Sequence, residues 1–459
     1  MTTDLITRLG KIVGSRFVSG EPEERYLYSM DPGTMPAAAP DAVVMPANTD
    51  EVQQVVMLAN ELNVPIVPMG AGLVLSGLTR ALRGGIIVDM KRMNHIIEVN
   101  PQSRYAVVEG GASQGMFKAY LKKHHPQLKH SMPDAPPIAT LAGNVCIHGS
   151  GHLSMLGGSH SDMLTGMEIV LPSGEIIRTG SCSVSPQWFA RSPLPDLSGL
   201  FLGWAGTTGI VTRLGIKLFP SYKHNDVLIF VAEDADLMPE IISRLTSTQV
   251  AEDMTPWMSP KPAWAKGFMH INIAYGAHTK KELTFKRNLI QASVREYMDR
   301  KIAGFLPLPP SQKGRFLEIP SPDLARFADL RKGGGFEYVG AMMAIEHFPL
   351  AYRAGLEIAE KYNVSYSLGA RIIGAGHCMM FFFAYAFNRA DAEDVKRASD
   401  ALEATNIAAL KIGGIPWKAE EPAQKQIIEK MDPNTFALMG KIRSVLDPKG
   451  IMNPGNWEN

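Results

Sequence analysis

The stretch VPIVPMGAGLVLSG, residues 64–77, decides how this chain is read. A short apolar run ends at Pro68, and a glycine-dense loop without any charge follows. Glycine admits positive φ and lets a ligand come close to the main chain. Successive N–H groups in such a loop can converge on one concavity and hold phosphate without a cationic side chain. The loop is therefore expected to cradle a pyrophosphate. It is not a complete dinucleotide fingerprint, because Leu75 stands where the third glycine belongs. Gly72 and Gly77 have P-loop spacing, but Leu78 replaces the phosphate lysine, which argues against an ATPase. An ordinary strand-to-turn connection fits the same residues, so the loop takes its meaning from the rest of the chain.

A chain of 459 residues has room for two domains, or for one large domain with an insertion. It is 45% hydrophobic and 20% charged with a net charge of +1, the balance of a soluble globular enzyme. There is no basic run to bind nucleic acid or an anionic membrane surface. Three scattered cysteines, Cys146, Cys182 and Cys378, make neither a disulfide framework nor a CxxC metal site, and a reducing cytoplasm suits them. The N-terminus lacks the apolar core of a secretory signal. The most hydrophobic run, 378–387, is too short to span a bilayer and reads as a buried strand.

Taken in order, residues 1–40 read as a polar surface segment that leads into a strand at 42–45. Asn48-Thr49-Asp50 caps a helix whose Val52, Val55, Val56, Ala59 and Leu62 share one face. Strands follow at 66–67, 85–90 and 105–109, then a helix at 116–123. Segment 133–151 is rich in Gly, Pro and small residues yet nearly uncharged, so it should lie against something buried. A strand and hairpin turn occupy 167–178, and an alternating strand 210–220. From about Ser221 strands at 227–232, 269–275, 337–345, 365–373 and 378–387 alternate with helices at 236–246, 281–298, 350–362, 391–403 and 421–431. That pattern is an antiparallel sheet with helices. The end, 446–457, carries two Pro/Gly turns and reads as tied down.

Four stretches together resemble one family: PMGAGLVLSG (68–77); ATLAGNVCIHGSGH (139–152) with SDMLTGMEIVLPSGEIIRTG (161–180); DLSGLFLGWAGTTGIVTRLGIKLFP (196–220); and LDPKGIMNPGNW (446–457). They are similar to the FAD-linked oxidases of the vanillyl-alcohol oxidase and p-cresol methylhydroxylase superfamily, including its glycolate oxidase and D-lactate dehydrogenase branch. The resemblance covers nearly the whole chain in the expected order. It implies an α+β protein with the two-subdomain FAD-binding fold of the vanillyl-alcohol oxidase type and an antiparallel-sheet cap domain. The FAD-binding domain would take 1–222, the cap 223–435, and a tail, 436–459, would return to the FAD domain. Pro68, Gly70, Ala71, Gly72, Leu73, Ser76 and Gly77 would hold the pyrophosphate. Pro133, Ala139, Thr140, Gly143, Asn144, His152 and Asp162 would line the flavin, Gly209 and Ile210 the adenine end, and Asn453 would reach in from the tail. Leu73 stands where one branch attaches FAD through histidine, so FAD is expected to be non-covalent.

The same resemblance implies hydride transfer to the flavin N5, with the protein supplying orientation, a proton acceptor and a charge partner. In the hydroxy-acid branch an Arg-Lys pair binds the substrate carboxylate, and Arg331-Lys332 matches it; arginine suits a carboxylate because its fork binds bidentately. That branch also holds a divalent metal with two histidines and a glutamate. Here the first histidine is Ala370, the second is His377, and the glutamate is absent. One histidine does not hold a catalytic metal, so no metal is expected. His377 is the acid/base candidate and Arg371 an alternative carboxylate clamp. The phenol-oxidising branch uses a Tyr-Arg pair, for which Leu410-Lys411 stands here, and an acidic residue that appears as Ser159. His148, His152 and His160 tempt a zinc reading, but HGSGH is too glycine-rich for a helix with ligands at i and i+4.

The sequence therefore points to an FAD-dependent dehydrogenase acting on a hydroxylated small molecule, with a 2-hydroxy carboxylate as the first expectation. Oxidation of an aryl or alkyl C–H is the second, and a flavin electron-relay subunit the third. There is no Fe–S cysteine motif, so electrons must leave to oxygen, a quinone or a partner such as an iron–sulfur subunit. A homo-oligomer is left open. The location is read as cytoplasmic, with any membrane contact made through a partner.

Overall fold

The computed structural model describes residues 2–31, 33–258, 269–320 and 333–458. Arg331 and Lys332 lie outside them.

The first part of the chain builds two small sheets. In one, Ala42–Val44, Ile86–Asp89 and Ile66–Met69 run parallel, with Val18–Ser19 added antiparallel at one edge. In the other, Ile96–Asn100, Tyr105–Glu109, Ile210–Lys217, Leu164–Val170 and Ile176–Gly180 are all antiparallel. Helix Thr49–Leu62 covers the first sheet with Val52, Val55, Val56 and Ala59, each fully buried. Its start is capped from both sides. The Asn48 side chain accepts from the Glu51 amide at 2.9 Å, and the Glu51 carboxylate accepts from the Ala47 amide at 2.7 Å.

The N-terminal segment corrects the sequence reading. Residues 2–13 form a helix, Thr2–Val13, whose Leu5, Leu9 and Val13 join the same core. The i, i+4 spacing of those three was the signal. Segment 133–151 also holds a short helix, Leu141–Cys146, capped by Thr140.

The cap is one eight-stranded antiparallel sheet. Its order is Ala303–Leu306, His224–Ala232, Met269–Ala277, Asp253–Met258, Ser365–Ile373, Cys378–Asn388, Gly334–Met343, Ile415–Trp417. Side chains alternate between its faces. Along Cys378–Asn388, Met379, Phe381, Phe383 and Tyr385 are completely buried in the large core. Helices Met238–Thr246, Phe348–Tyr362 and Ala392–Ile412 contribute to that core. Met380, Phe382, Ala384 and Ala386 take the opposite face. Strands Asp253–Met258, Ala303–Leu306 and Ile415–Trp417 escaped the sequence reading because each is short, and two of them carry proline.

Among the described residues no helix is long and apolar enough to cross a membrane. The chain end folds back on the first sheet. Met452 bridges Ile66, and the Asn453 amide donates to the Ile66 carbonyl at 2.8 Å.

Candidate functional site

The glycine loop follows strand Ile66–Met69. Gly72 and Gly77 both take φ +67°, and Leu75 takes φ +64°. Residues 70–75 are half-buried although uncharged. Among the described residues, none of the amides from Gly70 to Ser76 donates to another group of the chain. The next amide, that of Gly77, is committed to Asp31 Oδ2 at 2.9 Å, so Gly77 closes the loop rather than offering a donor. Ser76 Oγ is buried without a partner, and so is Asn453 Oδ1. A half-buried loop with uncommitted amides and the orphaned Ser76 hydroxyl, which can donate, fits a pyrophosphate; Asn453 Oδ1 can only accept and so calls for a donor instead.

Other elements close around this loop. A Cβ on Gly70 would come within 2.3 Å of Thr140 Oγ1, so the loop and the start of helix Leu141–Cys146 touch there. Thr140 Oγ1 accepts from the Gly143 amide at 3.2 Å. A Cβ on Gly206 would meet Pro68 at 2.6 Å. Asn453 Nδ2 donates to the carbonyls of Leu78 (2.9 Å) and Ala205 (2.6 Å), which knits tail, glycine loop and the 203–206 turn together. Gly209 packs on Ile169 and the Val170 carbonyl, and Ile210, 1% exposed, starts its strand beside them.

The histidines of the region hold loops. His160 contacts Asn144 Oδ1 and, at 3.0 Å, Ser131 Oγ. His130 contacts Gln114 at 3.0 Å. His152 Nδ1 accepts from the Met132 amide at 3.0 Å and so shapes the loop that carries Pro133 and Asp134. Burial lowers the pKa of all three, to about 3 for His130 and His160, so they are neutral. Asp162 is exposed, and its carboxylate caps Ser159 by bonds of 2.8 and 2.7 Å from the amide and hydroxyl.

The cap faces these loops with the side of its sheet that carries Phe382. Directly paired residues of an antiparallel sheet share a face. Trp417 pairs Gly340, Gly340 pairs Phe382, Phe382 pairs Gly369, Gly369 pairs Trp257, and Trp257 pairs His270. Trp417, Phe382, Trp257 and His270 therefore form one row across six strands, and each is only partly buried. Trp257 and His270 stack at 4.5 Å. Tyr338, two residues from Gly340, meets Phe382 edge-on at 5.7 Å. The row lies against the loops just described. Trp417 Nε1 donates to the Ile147 carbonyl, and Ser150 Oγ lies 3.7 Å from Met380 Sδ.

Charge lies at two places along this row. At one, Lys418 Nζ donates to the Val74 carbonyl of the glycine loop. It lies 4.1 Å from the Tyr338 ring centroid and 5.2 Å from that of Trp417. Burial pushes its pKa down, and the carboxylates of Glu337 and Asp31 oppose that shift. At the other, two residues along the strand from Gly369, Arg371 is 4% exposed and already paired. Its Nε and a terminal nitrogen reach the two oxygens of Asp253 at 3.1 Å each, and the same terminal nitrogen reaches Asp134 Oδ2 at 2.9 Å. The guanidinium expected to clamp a substrate carboxylate is thus clamped by two carboxylates of the protein. His377 is exposed on the turn between Ser365–Ile373 and Cys378–Asn388 and is not among the groups that meet there.

Leu410 and Lys411 correct the sequence reading too. They lie in helix Ala392–Ile412, with Lys411 exposed, and the residues at the sheet edge are Trp417 and Lys418. A three-residue strand around Pro416 hid the pair. Tyr338, Phe382, Trp257, His270, Asp134 and Asp253 were also missed. The signal for them was glycine at Gly340 and Gly369, on either side of Phe382.

A glycine loop of uncommitted main-chain amides under an aromatic-faced cap is the arrangement expected of a flavoprotein oxidoreductase. Comparison with known proteins agrees. Residues 40–180 match an FAD binding domain, and residues 341–457 match the C-terminal domain of FAD linked oxidases. The chain is 31% identical over 255 residues to the glycolate oxidase subunit GlcD of Bacillus subtilis, covering 54% of this chain and 52% of that protein. It is 24% identical over 468 residues to the 4-cresol dehydrogenase [hydroxylating] flavoprotein subunit of Pseudomonas putida, covering 91% and 88%. In fold it matches p-cresol methylhydroxylase with a TM-score of 0.86 at 22% identity, over 99% of this chain and 96% of that one. The chain carries both domains of the FAD-linked oxidases and is an FAD-dependent oxidoreductase, and its fold is that of p-cresol methylhydroxylase.

Proposed function

We propose that this protein oxidises a hydroxylated aromatic compound, removing hydride from the carbon attached to the ring opposite the hydroxyl. The observation that carries this reading is the aromatic row from Trp417 to His270 with Lys418 at one end. FAD, when bound, would supply the hydride acceptor, and the amides of Gly70, Ala71, Gly72 and Leu73 with Ser76 would hold its pyrophosphate. The substrate ring would lie against Phe382, whose ring packs over Gly369 and, with Trp417, over Gly340. An ammonium carries three donors, and Val74 takes one of Lys418's, so the others are available to a phenol oxygen. Lys418 would hold that oxygen as phenolate, the phenol proton having passed to solvent water before the substrate is enclosed. The phenolate pushes electron density through the ring and weakens the benzylic C–H bond. The cap sheet excludes water around this step.

The test is anaerobic bleaching of the purified holoprotein. 4-Alkylphenols or 4-hydroxybenzyl alcohols should reduce the flavin, and lactate and glycolate should not. Reduction by lactate alone would replace this reading by the 2-hydroxy-acid one. That second reading has the likeness to the glycolate oxidase subunit in its favour, with Arg331 as carboxylate clamp and His377 as base. Two of the relatives are named as subunits, which supports an electron-accepting partner for this chain as well.

A further inference from the structure

Lys418 is placed by a backbone turn that costs energy. Strand Ile415–Trp417 ends just before it, and continued alternation would send its side chain to the face of the sheet opposite Trp417. Lys418 takes φ +46°, in the left-handed region that disfavours a residue with a Cβ. Its ammonium stands over the face of the Tyr338 ring, 4.1 Å from the centroid, and 5.2 Å from that of Trp417.

Both rings are seated by other parts of the chain. Tyr338 stands on strand Gly334–Met343 and meets Phe382 edge-on. Trp417 Nε1 donates to the Ile147 carbonyl, and a Cβ on the opposing Gly340 would lie 2.8 Å from the indole. The rings are therefore a fixed frame against which the flexible lysine is set.

Electrostatics gives the frame a task. Lys418 Nζ makes one hydrogen bond, to the Val74 carbonyl. Three carboxylates act on it: Asp31 from the N-terminal segment, Glu337 from the cap sheet and Glu420 before helix Glu421–Lys430. Among the described residues none of them forms an ion pair with it. Asp31 is committed to the amides of Gly33 and Gly77, Glu337 to Thr34, and Glu420 to Asn406. Arg80, a second cation, shares Asp31 and Glu420. At contact distance the ammonium thus meets a carbonyl dipole and two ring faces, while burial works against its charge. An ammonium on the face of an aromatic ring is attracted by the ring quadrupole, more strongly as water is withdrawn.

We propose that Tyr338, with Trp417 beside it, is the positioning residue for Lys418: the face of its ring holds the ammonium in place and in its charged form beside the aromatic row. The inference rests on the aromatic reading above, in which a charged Lys418 meets a phenol oxygen. It uses the π face of Tyr338 and not its hydroxyl, so phenylalanine can replace it and an aliphatic side chain cannot.

The experiment first follows the lysine in the holoprotein without substrate. Lysine labelled with carbon-13 at Cε reports its own protonation, and the Lys418 signal is the one lost in Lys418→Met. In Tyr338→Leu it should titrate about one pH unit or more below the parent, the worth of a ring face withdrawn from water. In Tyr338→Phe it should titrate with the parent. Tyr338→Met repeats the leucine test with a side chain that adapts to the space left. The alkaline limb of anaerobic flavin reduction by a 4-alkylphenol, measured on the same proteins, should follow the titration. A midpoint is read from the folded holoprotein's own signal, so a smaller folded fraction does not mimic the shift. A Lys418 midpoint unmoved in the leucine and methionine variants would overturn the proposal, and so would an equal fall in Tyr338→Phe, which would assign the effect to the hydroxyl. The expected shifts without bleaching by any phenol would overturn the aromatic reading and leave the ring's hold on Lys418 standing.

Discussion

Glu337, on the cap sheet, accepts hydrogen bonds from the Thr34 amide at 2.9 Å and the Thr34 hydroxyl at 3.1 Å. The pair ties the N-terminal segment to the cap at a carboxylate only 1% exposed. Asp31 in the same segment holds the Gly77 amide, so one stretch of chain touches both the glycine loop and the cap. Burial pushes the Glu337 carboxyl up and the Lys418 ammonium down, and the attraction between them offsets both shifts.

Removing that bridge leaves the Thr34 amide, which is partly buried, without its partner. Glu337→Ala is expected to destabilise by about 1–3 kcal/mol, the cost of an orphaned buried donor. Glu337→Gln keeps an accepting oxygen and should cost less. Denaturant melts of the holoprotein measure both, and an alanine variant as stable as the parent would show that the bridge holds nothing.

Gly70→Ala tests the cofactor cradle. The new Cβ would lie 2.3 Å from Thr140 Oγ1, closer than any real contact, so the loop or the helix start must move. The amides of residues 70–74 are then displaced from their present positions. The ratio of flavin to protein absorbance should fall severalfold while far-ultraviolet circular dichroism stays unchanged. Pairing it with Thr140→Gly, which removes the opposing atoms, should restore part of the flavin. Full occupancy in Gly70→Ala alone would mean that the pyrophosphate lies elsewhere.

Acid should weaken the protein through its buried histidines. His130 and His160 sit at about pKa 3 when folded, because burial disfavours the charged ring, against about 6.5 when unfolded. A depressed folded pKa gives stability that is present above the unfolded value and lost as pH falls below it. Each histidine then contributes a loss on the order of 1.4 kcal/mol per pH unit, so the pair loses roughly 3 kcal/mol one unit below 6.5. Melting temperature should therefore fall steeply from about pH 6.5 downward. His160→Gln, which hydrogen-bonds without titrating, should flatten part of that slope. An unchanged slope would place the acid sensitivity in other groups.

Where the sequence was readable, the physics was local. The cap of helix Thr49–Leu62 is set by Asn48 and Glu51, a few residues apart, and the glycine loop by its own backbone. The strands of 365–373 and 378–387 were plain from their apolar runs, since both are buried on one face and partly on the other. The site's side chains were not readable, because they meet only through sheet register. Trp257 and Trp417 are 160 positions apart in sequence and share a face only through Gly369, Phe382 and Gly340 between them. Arg371 shows the same limit. An arginine on a strand looks like a free cation until the fold brings Asp253 and Asp134 to it.

Lys418 carries the last prediction. Its ammonium is held against the Tyr338 ring and by the Val74 carbonyl, with Glu337 and Asp31 behind it. If it stabilises a substrate phenolate, Lys418→Met should slow flavin reduction by a 4-alkylphenol on the order of a hundredfold, the worth of a charge-assisted hydrogen bond of about 3 kcal/mol. The FAD content should be little altered, because Val74 offers only its carbonyl to this lysine. Burial lowers the lysine's pKa, so its positive charge is present below the folded value and is lost on the alkaline side earlier than for an exposed lysine. Flavin reduction by a neutral phenol should accordingly show an alkaline limb below the usual lysine range. Lys418→Arg, which stays charged, should move that limb upward while keeping part of the rate. A limb that stays in place in the arginine variant would assign it to another group, and full activity in Lys418→Met would remove the cation from the mechanism.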